Sequence, residues 1–277
     1  MGIAKDFSLV DFIKSNSSDQ ADLKHQIELI IQNMVRCERI DLYTNDDLNI
    51  SEVQLQKISS QIVRIKEGNP IQYVLNSAPF YGRDFFVTEE VLIPRFDTEL
   101  IIDILHQHGP CNQLLEIGVG SGNIAITIAE ENLATNIIGT DISDNKISIA
   151  NYNKKIICPN AQINFFVDDF FNSTLSSNQK FDIIVSNPPY IPLSKINQLD
   201  KLVRDHEPTN ALTDGHEGYR FYEQFAIIGK KLLEENGFML LEIGIDNKLE
   251  YLYDIFSNYN IKVYDDLNNI PRVIKIY

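Results

Sequence analysis

The segment Asn187-Pro188-Pro189-Tyr190 has the most specific chemistry in the sequence, and it directly follows an apolar run at 182–186. That run is predicted to be a buried strand, and open α/β sheets bind ligands beyond the carboxyl ends of their strands. Asn187 offers a side-chain carbonyl oxygen, and Pro188 offers a backbone carbonyl whose direction its ring fixes. The two oxygens can accept both hydrogens of a planar NH2 group, against which Tyr190 can pack. The segment therefore predicts an amino-group site; the alternative is a proline-rich turn after a buried strand.

A glycine loop lies upstream, in a segment at 114–129 that is typical of a strand, a loop and a helix. Gly118, Gly120 and Gly122 allow a tight turn and let a ligand approach bare backbone. The following helix would direct free N–H groups and its positive dipole end toward that ligand. The spacing is Gly-x-Gly-x-Gly, not the dinucleotide pattern Gly-x-Gly-x-x-Gly, and the preceding Glu116 would repel a pyrophosphate. The alternative is a plain strand-to-helix turn.

Acidic residues end the next two predicted strands. Asp141 follows Gly118 by 23 residues, where an acid can accept hydrogen bonds from both hydroxyls of a ribose. The alternative for Asp141 is a helix N-cap, because a helix begins directly after it. The third strand ends at Asp168-Asp169-Phe170-Phe171, which is open to interpretation as a binding site or as a solvated loop.

Alternating strands and helices are expected to position these loops. Seven strands are predicted, at 113–117, 136–141, 164–168, 182–186, 238–243, 261–264 and 273–277. Amphipathic stretches separate most of them, which favours a mostly parallel, Rossmann-like α/β sheet covered on both faces.

The residues before this sheet predict a different architecture. Apolar side chains recur at helical spacing around 7–13, 27–35 and 55–65, with Asp19 or Asp22 as a cap of the second helix. These helices predict a small bundle.

Residues 80–94 alternate aromatic, β-branched and polar types, which predicts a β-hairpin with its turn near 88–90. We therefore expect a helical domain at 1–77, a hairpin linker at 78–99 and the α/β domain at 100–277.

The charge balance argues against nucleic acid as a partner. The chain has 24 basic and 39 acidic residues and a net charge of −15, whereas binding to phosphate backbones needs clustered Lys and Arg. Residues 1–88, with nine basic and twelve acidic side chains, offer no local exception. We expect no direct contact with nucleic acid.

Metal sites, disulfides and membrane spans are also not expected. The three cysteines form no Cys-x-x-Cys pair, and His106 and His108 point to different sides of a predicted helix. No apolar run is long enough to span a membrane. We expect a cytoplasmic monomer.

Taken in order, these motifs resemble those of class I S-adenosylmethionine-dependent methyltransferases. Asn-Pro-Pro-Tyr after a strand is shared by enzymes that methylate adenine N6, guanine N2 or glutamine. The segments at 69–100, 207–222 and 240–244 are similar to those of the HemK-type release factor glutamine methyltransferases. The resemblance covers nearly the whole chain and is weakest in residues 1–50.

The resemblance implies a role for each motif. S-adenosyl-L-methionine, which leaves as S-adenosyl-L-homocysteine, would be bound by Glu116, Gly118, Gly120, Gly122, Asp141, Asp169, Phe170 and Asn187. Glu116 would face the cationic methionine end, and Asp169, with Asp168 as the alternative, would lie near the adenine amine.

The resemblance also implies a substrate, the glutamine of the Gly-Gly-Gln loop of peptide chain release factors. Its amide would be bound by Asn187, Pro188, Pro189 and Tyr190. Of these, Asn187, Pro188 and Tyr190 are the implied catalytic residues. Arg95 and Glu99 would help to roof the site; the alternative is that they form a domain-bridging salt bridge. The helical domain would recognise the release factor.

Two positions depart from the family pattern, Asn76 where glycine is usual and Phe96 where proline is usual. Asn tolerates positive φ better than most residues, so the turn at position 76 is expected to survive.

Two other enzyme classes stay open. One is a glutamine methyltransferase of a ribosomal protein, which would share the same machinery. The other is a DNA or RNA amino-methyltransferase, which would have to extrude its base. A domain that only binds the cofactor would leave the amide motif without a purpose.

Overall fold

The computed structural model describes residues 8–18, 20–45, 48–176 and 178–277. The chain divides into two compact units, Met1–Ser77 and Ala78–Tyr277. Within the described ranges, no helix combines the length and the apolar character that a membrane span requires.

The first unit is helical. Its helices are α1 Leu9–Ser17, α2 Ala21–Val35, α3 Asp41–Thr44, α4 Glu52–Lys66 and α5 Ile71–Leu75. One apolar cluster holds α1, α2 and α4 together, with Ile13, Ile27 and Ile58 at its centre. The three predicted helices are therefore present.

The ends of these helices depend on capping. Of the two predicted caps of α2, Asp19 lies outside the described residues, and Asp22 is in the first turn after the N-cap Gln20. After α5, Asn76 has a φ of +52° and donates its N–H to the carbonyl of Gln72. This is a left-handed C-cap, so the turn survives the change from glycine to asparagine.

The described part of the second unit contains nine strands. They are β1 Ala78–Phe80, β2 Arg83–Phe85, β3 Cys111–Ile117, β4 Ala134–Asp141, β5 Ile163–Val167, β6 Phe181–Ser186, β7 Leu233–Glu242, β8 Ile261–Asp265 and β9 Pro271–Ile276. β3 to β9 form one sheet in the order β5-β4-β3-β6-β7-β9-β8. β9 runs antiparallel to both neighbours, and the other pairs are parallel. The predicted seven-stranded, mostly parallel sheet is confirmed.

Helices surround this sheet. They are α6 Glu99–His108, α7 Asn123–Glu130, α8 Asp144–Ile157, α9 Lys201–His206, α10 Thr209–Leu212, α11 Arg220–Leu232 and α12 Leu249–Ile255. Successive strand residues point to opposite faces, and the neighbours Leu114 and Leu115 are fully buried in two different apolar clusters. Both faces of the sheet are thus covered, which explains the apolar runs within its central strands.

The hairpin differs from its prediction. β1 and β2 pair through a turn at Tyr81 and Gly82, which both have positive φ, as a tight two-residue hairpin turn requires. A turn does occur at 88–91, where the N–H of Val91 bonds to the carbonyl of Thr88, but residues 86–95 contain no strand. The predicted turn position was wrong because the glycine at 82 is the stronger signal.

The strand order positions the two chemical loops. β3 lies between β4 and β6, so the chain reverses its direction of progress across the sheet at the β3–β6 pair. A crevice opens at such a switch point, beyond the carboxyl ends of the strands. The glycine loop leaves β3 at this crevice, and Asn187 leaves β6 beside it.

Candidate active site

A single pocket of the second unit gathers most of the predicted residues. Its volume is about 990 Å³, including the part open to solvent. The loops after β3, β4, β5 and β6 all contribute to its wall, among them Gly118, Gly120, Asp141, Asp169, Phe170 and Asn187. Three motifs that are distant in the sequence therefore face one cavity.

The three glycines of the loop serve different purposes. Gly118 and Gly120 line the pocket with φ values of +79° and +52°, in the left-handed region that glycine favours. Gly122 does not line the pocket. A Cβ atom there would lie 3.3 Å from the Cα of Ala150, so this glycine permits close approach of α7 and α8.

Asp141 is held in place by the loop that it faces. Its Oδ2 accepts the N–H of Gly120 at 3.0 Å, and its Oδ1 lies 3.7 Å from Nζ of Lys146. The N-cap of α8 is Ser143, so the alternative that Asp141 caps this helix was wrong. Sequence reasoning missed Lys146 and Asn210, which form a 3.4 Å hydrogen bond in the pocket wall. Lys146 lies close to Asp141 in the sequence, but its partner Asn210 comes from a distant segment.

Glu116 is a buried carboxylate with one oxygen unsatisfied. Its Oε2 accepts the N–H of Ala125 at 2.9 Å, while Oε1 has no hydrogen-bond partner among the described residues. Burial, and then the negative charge of Asp141, raise the pKa of Glu116 well above its usual value. Buried charges are normally paired, so an unpaired carboxylate oxygen at a pocket fits a cationic ligand group such as an amino-acid ammonium.

Both acids after β5 line the pocket, and both already have partners. Asp168 accepts the N–H and the hydroxyl of Thr174, each at 2.9 Å. Asp169 accepts from the side chain of Asn172 and from the N–H of Phe171, in that order of effect, and these bonds lower its pKa. The choice between Asp168 and Asp169 as the adenine contact stays a prediction.

An aromatic group adjoins these acids. The rings of Phe170 and Phe221 are stacked, with their centroids 5.7 Å apart and their planes 12° from parallel, and both residues line the pocket. This is an apolar wall suited to a flat ring. Phe221 was missed because it lies on α11, some fifty residues along the chain.

Asn187 presents an available acceptor. Its Nδ2 donates to the hydroxyl of Thr98 at 3.1 Å, and within the described ranges no residue donates to its Oδ1. Pro188 and Pro189 line the pocket beside it. The structure thus leaves an acceptor oxygen where the sequence predicts one.

Tyr190 contacts Glu242 and Gly244 beside the pocket. It does not line the pocket, and its hydroxyl donates to Oε1 of Glu242 at 3.2 Å. Its ring lies over Gly244, where an added Cβ would be 2.5 Å from ring carbon Cδ2. The contact of Tyr190 with the substrate amide stays a prediction; the observed partner of its hydroxyl is the carboxylate of Glu242.

Comparisons with known proteins agree with this arrangement. The family model described as Methyltransferase small domain matches residues 95–206, and the one described as PrmC N-terminal domain matches residues 10–75. A release factor glutamine methyltransferase of Bacillus cereus is 33% identical over 272 residues, covering 95% of this chain and 94% of the relative. The one of Bacillus subtilis is 30% identical over 279 residues, with coverages of 97% and 96%.

The chain belongs to the release factor glutamine methyltransferase family. Its fold is shared more widely. A methyltransferase from Pyrococcus furiosus, 16% identical, matches with a TM-score of 0.51 over 79% of this chain and 98% of its own.

In this family member, the two predicted roof residues have different surroundings. Arg95 lines the pocket and forms a 2.5 Å ion pair with the buried Glu207, inside the second unit. Burial raises the pKa of Glu207, and the charge of Arg95 opposes that shift. Glu99 does not line the pocket; its Oε1 accepts the N–H of Tyr81 and so holds the hairpin turn. The contact of Glu99 with the substrate stays a prediction.

The family segment at 207–222 forms a compact loop beside Tyr190. Asp214 accepts the N–H groups of His216, Gly218 and Arg220. Gly218 has a φ of +82°, and a Cβ there would lie 2.1 Å from the carbonyl oxygen of Tyr190. Only glycine fits at this close approach, which explains physically why the segment contains it.

Two residues of the site were missed entirely, Thr98 and Glu242. Thr98 is only 2% exposed and donates its hydroxyl to Oε2 of Glu242 at 2.6 Å. A glutamate inside the otherwise apolar run at 239–243 was a visible signal, because charges are rarely buried without a partner. Its partners come from segments 144 and 52 residues away, so their identity could not be inferred.

Proposed function

We propose that this protein transfers a methyl group from S-adenosyl-L-methionine to the side-chain amide of a glutamine, in the Gly-Gly-Gln loop of peptide chain release factors. The observation that carries the proposal is the free Oδ1 of Asn187 in the same pocket as the glycine loop and Asp141. The relatives' common name, release factor glutamine methyltransferase, supports the choice of substrate.

The residues of the pocket fit the cofactor. The unpaired Oε1 of Glu116 suits its ammonium group, Asp141 suits its ribose hydroxyls, and Phe170 with Phe221 offers an apolar wall for adenine. When bound, S-adenosyl-L-methionine supplies an electrophilic methyl group on a sulfonium centre.

The chain's own contribution is orientation. Oδ1 of Asn187 and the backbone carbonyl of Pro188 accept the two hydrogens of the glutamine NH2 group and direct the nitrogen lone pair toward the methyl donor. Holding donor and acceptor in line lowers much of the barrier of such a displacement. The nitrogen loses a proton to solvent after the transfer, so no strong base is required at the site.

The remaining sequence-based expectations belong to this proposal. They are recognition of the release factor by the helical domain at 1–77, a monomeric state, a cytoplasmic location and no direct contact with nucleic acid. The PrmC N-terminal domain match at residues 10–75 supports the first of them.

A methyl-transfer assay with labelled cofactor tests the proposal. The acceptors are a purified release factor, its Gln→Ala variant at the Gly-Gly-Gln loop, ribosomal proteins, DNA and RNA. Label on the intact release factor alone supports both the substrate and the acceptor residue. Label on a ribosomal protein or a nucleic acid, with none on the release factor, would retain the cofactor site and overturn the substrate.

A further inference from the structure

The direction of the Asn187 side-chain amide decides whether the site can work. An Asn amide has an acceptor oxygen and a donor nitrogen on ends of similar shape, and its hydrogen-bond partners decide which end faces where. Only the oxygen can accept from a substrate NH2 group. A role for this direction rests on the proposed function, because it assumes an amide substrate.

Two hydrogen bonds connect Asn187 to a buried carboxylate, which accepts a third from Tyr190. Nδ2 of Asn187 donates to Oγ1 of Thr98 at 3.1 Å, and the Thr98 hydroxyl donates to Oε2 of Glu242 at 2.6 Å. On its other oxygen, Glu242 accepts the hydroxyl of Tyr190 at 3.2 Å. Glu242 is 1% exposed and Thr98 is 2% exposed, so water does not compete for these bonds.

We propose that Thr98 and Glu242 are positioning residues, which fix Asn187 with its acceptor oxygen toward the substrate amide. The Thr98 hydroxyl has one proton, and the carboxylate of Glu242 can only accept. That proton therefore belongs to the bond with Glu242, and Thr98 can only accept from Asn187. A reversed Asn187 would place Oδ1 against a hydroxyl oxygen that has no proton left to donate.

The fixed direction of the Asn187 amide depends on the negative charge of Glu242. Burial raises the pKa of Glu242 to about 7, against the opposing effect of the bonds from Thr98 and Tyr190. A protonated Glu242 can donate, which frees the Thr98 proton for Oδ1 of Asn187 and permits the reversed, unproductive amide. The other titratable or charged groups near this carboxyl are Asp97, Tyr222 and Arg272.

Burial also raises the pKa of Tyr190. Its phenol therefore keeps its proton throughout the pH range in which Glu242 titrates, and it remains a donor.

Matched variants of Thr98 test the inference. Thr98→Val keeps the shape and removes the hydroxyl, and we expect kcat on a Gly-Gly-Gln peptide to fall about tenfold or more, as the loss of an orienting hydrogen bond does. The Kd of the cofactor should stay within about twofold, because Thr98 makes none of the proposed cofactor bonds. Thr98→Ser keeps the hydroxyl and should recover most of the rate. Equal rates in the Val and Ser variants would overturn the inference.

The pH profile provides a second test. Wild-type kcat should fall as the pH drops below about 7, where Glu242 becomes protonated. In Glu242→Gln the new amide can donate to Thr98 at every pH, so the rate should be low and should lack this limb. A Glu242→Gln enzyme that retains both the wild-type rate and its acid limb would contradict the role of the carboxylate.

A third measurement does not depend on methyl-transfer activity, so it separates this inference from the proposed function. The side-chain 15N–1H signals of Asn187 can be assigned by their absence in Asn187→Asp. In the wild-type protein the chemical shifts of these signals should change with pH, with a midpoint near pH 7. The same pH dependence should be present in Thr98→Ser and absent in Thr98→Val. Chemical shifts that change neither with pH nor on the Val substitution would refute the inference, even if the protein methylates glutamine. The expected shifts in a protein inactive on glutamine would sink the proposed function alone.

Discussion

Gly120 donates its backbone N–H to Oδ2 of Asp141 at 3.0 Å, which ties the glycine loop to the end of β4. The carboxylate is therefore oriented before any ligand arrives, and it retains further lone pairs for a ligand. Lys146, 3.7 Å from Oδ1, partly balances its charge inside the protein. A binding group held in this way loses little conformational freedom when the ligand binds.

Replacing this carboxylate should weaken cofactor binding. In Asp141→Ala we expect a loss on the order of 2 kcal/mol, or about thirtyfold in Kd, because hydrogen bonds to a charged acceptor disappear. Calorimetric titration with S-adenosyl-L-methionine measures it. Asp144→Ala removes an exposed acid from the first turn of α8 and is the control. Equal affinities in the two variants would refute the role of Asp141.

Asn187→Ala should give the opposite division of effects. The variant loses the acceptor that directs the substrate NH2 group, so methyl transfer should drop by about a hundredfold or more. Cofactor affinity should stay nearly intact, since Asn187 is only one of eight expected cofactor residues and the glycine loop, Glu116 and Asp141 are untouched. Single-turnover transfer and cofactor titration on the same preparation check both halves. A large loss of cofactor binding would show that the roles are not separate.

The two kinds of glycine in the loop should differ in their contribution to stability. Gly118→Ala and Gly122→Ala both force alanine to a φ near +80°, but only at Gly122 would the new Cβ lie 3.2 Å and 3.3 Å from atoms of Ala150. Gly122→Ala should therefore lower the free energy of unfolding by about 1–2 kcal/mol more than Gly118→Ala does. Urea denaturation of both variants measures the difference. Equal losses would mean that α7 and α8 can move apart freely.

Glu242 should make stability depend on pH in a defined direction. Burial raises its folded-state pKa to about 7 from an ordinary 4.5, so the folded protein keeps this proton longer than the unfolded chain does. We compare the free energy of unfolding of the wild type with that of Glu242→Gln. The wild type should have its greatest relative stability below pH 4.5. This advantage should decrease as the pH rises through 7, by on the order of 3 kcal/mol in total.

Unfolding in urea across this pH range, on both proteins, gives the difference. Glu235→Gln, at an exposed position, is the control and should show none of this dependence. A difference between wild type and Glu242→Gln that does not change with pH would mean that the carboxyl titrates normally in the folded state.

Local patterns in the sequence predicted the strands and the loops that follow them. β3 through β9 were recognisable because most of them contain short apolar runs, as buried strands do, and the glycine loop, Asp141 and Asn187 follow such runs directly. Pairings between distant segments were not predictable in this way. Lys146 with Asn210, Phe170 with Phe221, and Thr98 with Glu242 each join residues that only the folded chain brings together.

Two of the predicted substrate contacts, those of Glu99 and Tyr190, stay predictions. The chemistry of the Asn-Pro-Pro-Tyr segment indicated Tyr190, and the resemblance implied Glu99. In the structure each side chain turns to a different partner, the N–H of Tyr81 for Glu99 and the carboxylate of Glu242 for Tyr190. Side-chain direction after the end of a strand depends on such partners and not on the motif.

The unpaired oxygen of Glu116 has a consequence for how the heat of binding is measured. Burial and the nearby Asp141 favour the protonated form of this carboxyl in the absence of a ligand, whereas a cationic ammonium against Oε1 favours the ionised form. Association would then expel a proton into the solution. The calorimetric enthalpy should accordingly vary with the ionisation enthalpy of the buffer, and two buffers at the same pH would count the protons released.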